Sequence, residues 1–125
     1  MEEEGAVSLW LGTANSREAF EEMLEVSFSE DGDFLGSPFS RAFGIEYYEE
    51  GLKEAEYFDQ PSNDLGELLS GASYDDVIVD RFRSQGAQAG SSNCVILLYN
   101  YRHDTPTEWS SDGVLLRFFG AVRYQ

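Results

Sequence analysis

The sequence predicts an α+β domain: a small, mostly antiparallel sheet with a long C-terminal hairpin, covered by three to four helices. Three observations predict it. Two continuous apolar runs, Cys94–Tyr99 and Val114–Val122, lie near the end of the chain, and such runs mark strands buried on both faces. Two earlier stretches, around residues 16–26 and 73–86, carry apolar residues at helical spacing behind capping residues. The order strand, helices, weak strands, helices, strand, strand then gives α+β. At 125 residues, the chain is expected to form one domain over 1–125, long enough to bury roughly two-thirds of its unfolded surface.

The elements follow in order. Val7-Ser8-Leu9-Trp10-Leu11 alternates and is rich in strand formers, with Gly12 expected to end it. Asn15 followed by Glu18 reads as an N-cap with its capping acid. Phe20, Met23 and Leu24 then face inward, while Glu18, Glu21, Glu22 and Glu25 gather on the opposite, solvated face. Glu30-Asp31-Gly32-Asp33 is a turn. Ser37-Pro38 starts a short helix over Phe39–Phe43, closed by Gly44. Ile45–Tyr48 and Glu54–Phe58 read as two strands about Glu49-Glu50-Gly51. Pro61-Ser62-Asn63 breaks the chain before a short helix over Asp64–Leu69. Ser73 with Asp76 forms a second capping box, Tyr74, Val77, Ile78 and Phe82 make the buried stripe, and Gly86 is the expected C-cap. Asp75 and Asp76 in the first turn, with Arg81 and Arg83 in the last, suit the helix dipole and need no functional explanation. Gln85–Ser92 is a loop, and Thr105–Gly113 joins the two apolar strands, which pair with each other.

Charge separates the chain into two parts. With 24 acids and 8 bases the net charge is −16. Residues 1–80 hold 21 acids and 3 bases, a balance of −18, and residues 81–125 are at +2. Hydrophobic residues at 42% and aromatics at 14% are too frequent for a disordered acidic tail. No apolar run approaches the ~18 residues of a membrane span. The start, Met1-Glu2-Glu3-Glu4, is the opposite of a basic leader. The composition thus points to a cytoplasmic protein. Direct binding of nucleic acid or an anionic membrane is disfavoured, because phosphate repels such a surface. Cys94 is the single cysteine, so no intrachain disulfide or Cys-only zinc cluster can form.

The search for chemistry returns mostly negatives. His103 is the only histidine, and Cys94 lies inside an apolar strand, where a thiol packs rather than reacts. No phosphate loop, dinucleotide turn, HExxH or CxxC is present. Glu30-Asp31-Gly32-Asp33 lacks the register of an EF-hand. No catalytic, cofactor-binding or metal-ligating residue is therefore assigned. What stands out is a mixture of aromatic and acidic residues. Tyr47, Tyr48, Tyr57 and Phe58 are interleaved with Glu46, Glu49, Glu50, Glu54, Glu56 and Asp59, behind the acids Asp31 and Asp33. Aromatic rings supply rigid contact area and carboxylates supply steering toward a basic partner. Strand alternation alone, rings inward and acids outward, produces the same pattern.

The residues also carry a resemblance. Val-Ser-Leu-Trp-Leu-Gly (7–12), Glu-Asp-Gly-Asp-Phe (30–34), Ser-Pro-Phe and Phe-Gly-Ile within 37–45, Glu-Ala-Glu-Tyr-Phe (54–58) and Asn-Cys-Val-Ile-Leu-Leu-Tyr-Asn-Tyr (93–101) occur in that order. Together they resemble the Immunity protein 22 family of bacterial polymorphic-toxin systems, over about residues 6–103. The resemblance implies a small protein that binds and neutralises a cognate toxin domain and has no catalysis of its own. Many such toxins are nucleases with basic clefts that an acidic inhibitor can occupy. No site residue carries over from the family, and Phe34 and Phe58 read as core anchors. The toxin-binding candidates are thus Asp31, Asp33, Glu46, Tyr47, Tyr48, Glu49, Glu50, Glu54, Glu56, Tyr57 and Asp59. Two other readings stand beside this one: a small carboxylate-based hydrolase, and an acidic protein-binding scaffold or DNA mimic. A monomer is favoured, although the C-terminal hairpin leaves room for a free edge.

Overall fold

The computed structural model describes all 125 residues except Ala87, Pro106 and Asp112. Those three fall in the expected 85–92 loop and 105–113 connection, and that part of each reading lies outside the described residues. The fold is α+β. Five strands form one antiparallel sheet in the order β4-β5-β1-β7-β6. They are β1 (Glu2–Ala14), β4 (Lys53–Ser62), β5 (Ser92–Tyr101), β6 (Glu108–Ser111) and β7 (Val114–Arg123). A separate ribbon pairs β2 (Ser27–Phe28) with β3 (Phe34–Gly36). Among the described residues there are four α-helices, α1 (Arg17–Leu24), α2 (Pro38–Ala42), α3 (Leu65–Leu68) and α4 (Asp75–Arg83).

The middle of the sheet is buried on both sides: residues 5–12 of β1 and 92–99 of β5 are buried at every position. That is why Cys94–Tyr99 is apolar without interruption, whereas β7 leaves Leu115 exposed and Arg117 and Phe118 half-buried. On one face, Val7, Leu9 and Leu11 of β1 and Val95 and Leu97 of β5 meet Leu65, Leu68, Ile78 and Phe82 of α3 and α4. On the other, Trp10, Ile96, Leu98 and Leu116 meet Phe20, Met23, Leu24 and Phe39 of α1 and α2. Trp10 is fully buried, edge-on to Phe39 at 5.0 Å and tilted against Phe118 at 5.3 Å. Such aromatic pairs contribute about 0.5–1.5 kcal/mol each beyond their buried area.

The expected pairing of the two apolar strands is corrected by β1, which lies between β5 and β7 and pairs with both. The C-terminal hairpin is instead β6–β7, with β6 arising inside the stretch expected to be a connection. Its Glu-Trp-Ser-Ser sequence has no apolar run because β6 is an edge strand. Gly12 does not end β1. It continues the strand between Cys94 and Leu116, and a Cβ there would lie 1.9 Å from the Leu115 carbonyl oxygen. The glycine permits the close approach of β7.

Several caps also shift. Ser16, not Asn15, caps α1 by accepting the Ala19 N–H. Ser37 caps α2 in a reciprocal box with Ser40, behind Pro38, as the sequence suggests. Pro61 and Ser62 belong to β4, and Asp64 caps α3. Tyr74 occupies the N-cap of α4 in the left-handed region (φ 62), which leaves its ring half-exposed rather than in the buried stripe. Ser73 instead binds Glu54. At its other end α4 closes on Ser84, with Gly86 two residues later. Residues 45–49 form no strand, and Glu50–Leu52 is a single 3-10 turn. Phe34 and Phe58 are partly buried and flank the two cores without entering them.

Candidate functional site: an aromatic ridge and an acidic cleft

The site begins with a break in strand register. Glu2 pairs with Tyr101, but Val7 pairs with Tyr99, so residues 3–6 of β1 lie opposite Asn100 alone. Asn100 takes up the mismatch in the left-handed region (φ 61), and Gly5 does so at φ 85. The Gly5 N–H donates to Asn100 Oδ1 at 3.0 Å, and the Tyr124 hydroxyl donates to the same oxygen. In a regular strand Tyr99 and Tyr101 would share a face. Here Tyr99 packs into the core under α3 and α4, while Tyr101 packs against the other core.

A cleft of about 300 Å³ opens at this break. Glu2 and Glu4 line it from β1, Tyr99 to Tyr101 from β5, and Tyr47, Tyr48, Glu49 and Leu52 from the irregular segment before β4. Tyr47 is 49% exposed, and its hydroxyl donates to Glu49 Oε1 at 2.8 Å. That hydrogen bond, then burial and the charges of Glu49 and Glu2, raise the Tyr47 phenol above its ordinary pKa. Burial, and the charges of Asp104 and Glu46, do the same for Tyr101. Tyr48 is only 4% exposed, and burial pushes its phenol up to about 12. Ser37 and Glu50 stand near its hydroxyl, but neither makes a hydrogen bond of normal geometry with it.

An aromatic ridge runs away from the cleft. Phe34 lies edge-on to Tyr47 at 5.0 Å and to Tyr48 at 5.5 Å, and Phe28 lies 6.2 Å beyond Phe34. Phe28 is 58% exposed and Leu35 beside it 52%. Ridge and cleft together make a surface with apolar anchors and an acidic rim, the composition found at protein interfaces.

A family model described as Immunity protein 22 matches residues 7–125. The chain belongs to the Immunity protein 22 family. No curated protein and no solved structure matches it at a significant level. Membership assigns a toxin-immunity role in general and accords with a non-enzymatic inhibitor.

In this Immunity protein 22 chain the candidate residues fall into two groups. Asp31 and Asp33 sit exposed in the turn of the β2–β3 ribbon, which Ser29 closes through the backbone of Asp33. Glu46, Tyr47, Tyr48 and Glu49 follow on the segment that walls the cleft. Glu50 turns aside to Lys53 at 3.3 Å. The second group lies on β4, an edge strand. There Glu54 accepts hydrogen bonds from Ser73 and Tyr99. Tyr57 is half-buried, with Phe20 at 6.3 Å and the Arg17 guanidinium 5.1 Å over its ring. Glu56 and Asp59 are exposed.

Sequence reasoning missed Glu2, Glu4, Tyr99, Tyr101 and the exposed Phe28 and Leu35. The Glu2–Glu4 run was the available signal for the first pair. For Tyr99 and Tyr101 the apolar strand pattern concealed the break at Asn100.

Groups suited to catalysis are poorly placed for it. Burial pushes the Cys94 thiol up to about 12, so little thiolate forms at neutral pH. His103 is nine-tenths buried against Trp10, Phe43 and Phe118. Among the described residues, no group of three or more His, Cys, Asp or Glu is arranged to hold a metal ion, and no helix is long and apolar enough to cross a membrane.

Proposed function

We propose that this chain neutralises a basic toxin domain, without catalysis of its own, by laying the ridge Phe28–Phe34–Tyr47 and the adjoining acidic cleft against it. The observation that carries the reading is the continuity of the two features. Neighbouring rings, Phe28 and Tyr47 exposed and Phe34 partly buried between them, lead directly into a cleft whose walls bear Glu2, Glu4 and Glu49. The rings supply desolvated contact area, and the carboxylates, with the −18 balance of residues 1–80 behind them, steer a cationic partner. A nuclease domain fits this description because its substrate cleft attracts phosphate, and carboxylates compete for the same cationic groups.

The test pairs the chain with the C-terminal domain of the large gene product encoded beside it. That domain is expressed in a sensitive host, and growth is scored with and without this chain. Rescue, with a stable 1:1 complex whose association slows as salt rises, is the expected result. Toxicity without rescue overturns the proposal. Equal binding to a panel of unrelated basic domains would favour a promiscuous scaffold instead.

A further inference from the structure

The cleft holds a more specific message than negative charge. β1 carries three glutamates in succession, and the protein treats them differently. Glu3 is engaged by Arg102 at 2.8 Å and by Arg123 at 3.9 Å. Glu2 and Glu4, which line the cleft, make no ion pair among the described residues, and Glu49 accepts only the Tyr47 hydroxyl. The neighbouring bases are thus directed to Glu3 and Glu50, while the carboxylates of the cleft stay without a cation. Without an internal cation their charge is free to act on one that enters the cleft.

The cleft also differs from the other acidic concentration. Glu18, Glu21, Glu22 and Glu25 gather on α1, with carboxylates alone lining that face. In the cleft the acids are combined with the rings of Tyr47 and Tyr101. Its volume of about 300 Å³ lies at the bottom of the ~300–1,000 Å³ range of small-ligand pockets. One long side chain fills it, and a helix or strand does not.

Resting on the reading above, we propose that this cleft receives a single arginine side chain of the toxin. The guanidinium stacks on tyrosine and donates to carboxylates of Glu2, Glu4 and Glu49. Arginine is favoured over lysine because its planar fork can stack on a ring and bond several carboxylates at once, whereas an ammonium is a hydrated point charge.

The purified chain is titrated with N-acetyl-arginine methylamide and N-acetyl-lysine methylamide, and backbone amides are followed by NMR. The arginine probe should give saturable shifts confined to residues 2–4, 47–52 and 99–101. Its affinity should exceed that of the lysine probe by about 2- to 5-fold, the ratio expected of an exposed cation–π contact. Glu4→Gln and Glu49→Gln should each weaken it, and Glu22→Gln on α1 should not. Equal affinity for the two probes, shifts spread over α1, or no saturable shift in the cleft overturns the proposal. Growth rescue by the wild-type chain alongside a failed titration removes the arginine anchor and leaves the immunity reading intact. A successful titration without rescue removes the toxin as the source of the arginine and leaves only a cleft that binds a guanidinium.

Discussion

Carboxylates at the β4–α4 side of the molecule and carboxylates at the cleft come from the same acidic two-thirds of the sequence, yet the fold uses them differently. Glu54 accepts the Ser73 N–H at 2.9 Å, the Ser73 hydroxyl and the Tyr99 hydroxyl at 3.3 Å, tying β4 to the start of α4. Asp64 accepts the Gly66 N–H at the cap of α3 and pairs with Arg83 at 3.2 Å. Asp75 accepts the Gly71 N–H at 3.0 Å. At the cleft, Glu2 and Glu4 have no such donors among the described residues, and Glu49 has one hydroxyl. The difference shows that residue type alone does not mark a binding surface. A carboxylate with internal donors holds the fold together, and one without them contributes its field to whatever approaches.

The largest expected effect tests that division directly. Replacing Glu2, Glu4, Glu46 and Glu49 by Lys should slow association with the cognate toxin by about 10- to 1,000-fold at low salt, the range over which charge steers encounter. Stopped-flow association at two ionic strengths measures it. The melting temperature should scarcely change, because all four positions are exposed and, among the described residues, only the Glu49 side chain has a partner, the exposed Tyr47 hydroxyl. Normal kinetics would place the interface elsewhere.

Tyr47→Ala separates ring from charge. A central aromatic anchor contributes about 2 kcal/mol or more to binding, so Kd should rise by roughly 30-fold with little change in the salt dependence. Titration calorimetry at two salt concentrations would show it. A weakened salt dependence with unchanged high-salt affinity would mean that Tyr47 merely orients Glu49.

Glu54→Ala gives the mirror image. It should destabilise the fold by about 0.5–1.5 kcal/mol, since the exposed Ser73 N–H and hydroxyl exchange a carboxylate acceptor for water while the Tyr99 hydroxyl keeps the Ser73 carbonyl at 2.6 Å, and leave toxin association unchanged. Urea denaturation reads the first effect and association kinetics the second. A Glu54→Ala chain as stable as wild type, but slow to bind, would move Glu54 into the cleft's class and end the comparison.

The sequence was most informative where periodicity reflects burial. The run at 94–99 identified a strand buried on both faces and the run at 114–122 a strand only partly buried, with Leu115 exposed, and Phe20, Met23 and Leu24 identified the inner side of α1. It was least informative about partners. Neither apolar run carries a mark saying that β1 lies between them, because both strands are equally suited to any apolar neighbour. The cleft was half legible. Tyr47, Tyr48 and Glu49 are adjacent in the chain, but Glu2, Glu4, Tyr99 and Tyr101 reach them only through a register break absorbed by Gly5 and Asn100, a long-range event with no local signature. Glu54 and Glu49 looked alike for the same reason. What distinguishes them is Ser73, nineteen positions further along than Glu54.

The smallest effect extends the comparison from carboxylates to the one histidine. Burial among Trp10, Phe43 and Phe118 lowers the pKa of His103, opposed by the Thr105 backbone and the charge of Asp104. The free imidazole titrates near 6.5. Below that pH the unfolded chain binds a proton that the folded chain resists, so this contribution to stability is complete above about 6.5. It declines as pH falls toward the lowered folded value, by at most about 1.4 kcal/mol per pH unit. His103→Phe removes the proton site and keeps an aromatic ring in the pocket. The stability difference between wild type and His103→Phe should therefore shift in favour of the variant from pH 7.5 to pH 5.5, with carboxylate titration cancelling between the two chains. A constant difference would mean that the folded chain accepts the proton as readily as the unfolded one, and that the aromatic surroundings of His103 are as open to water as the cleft.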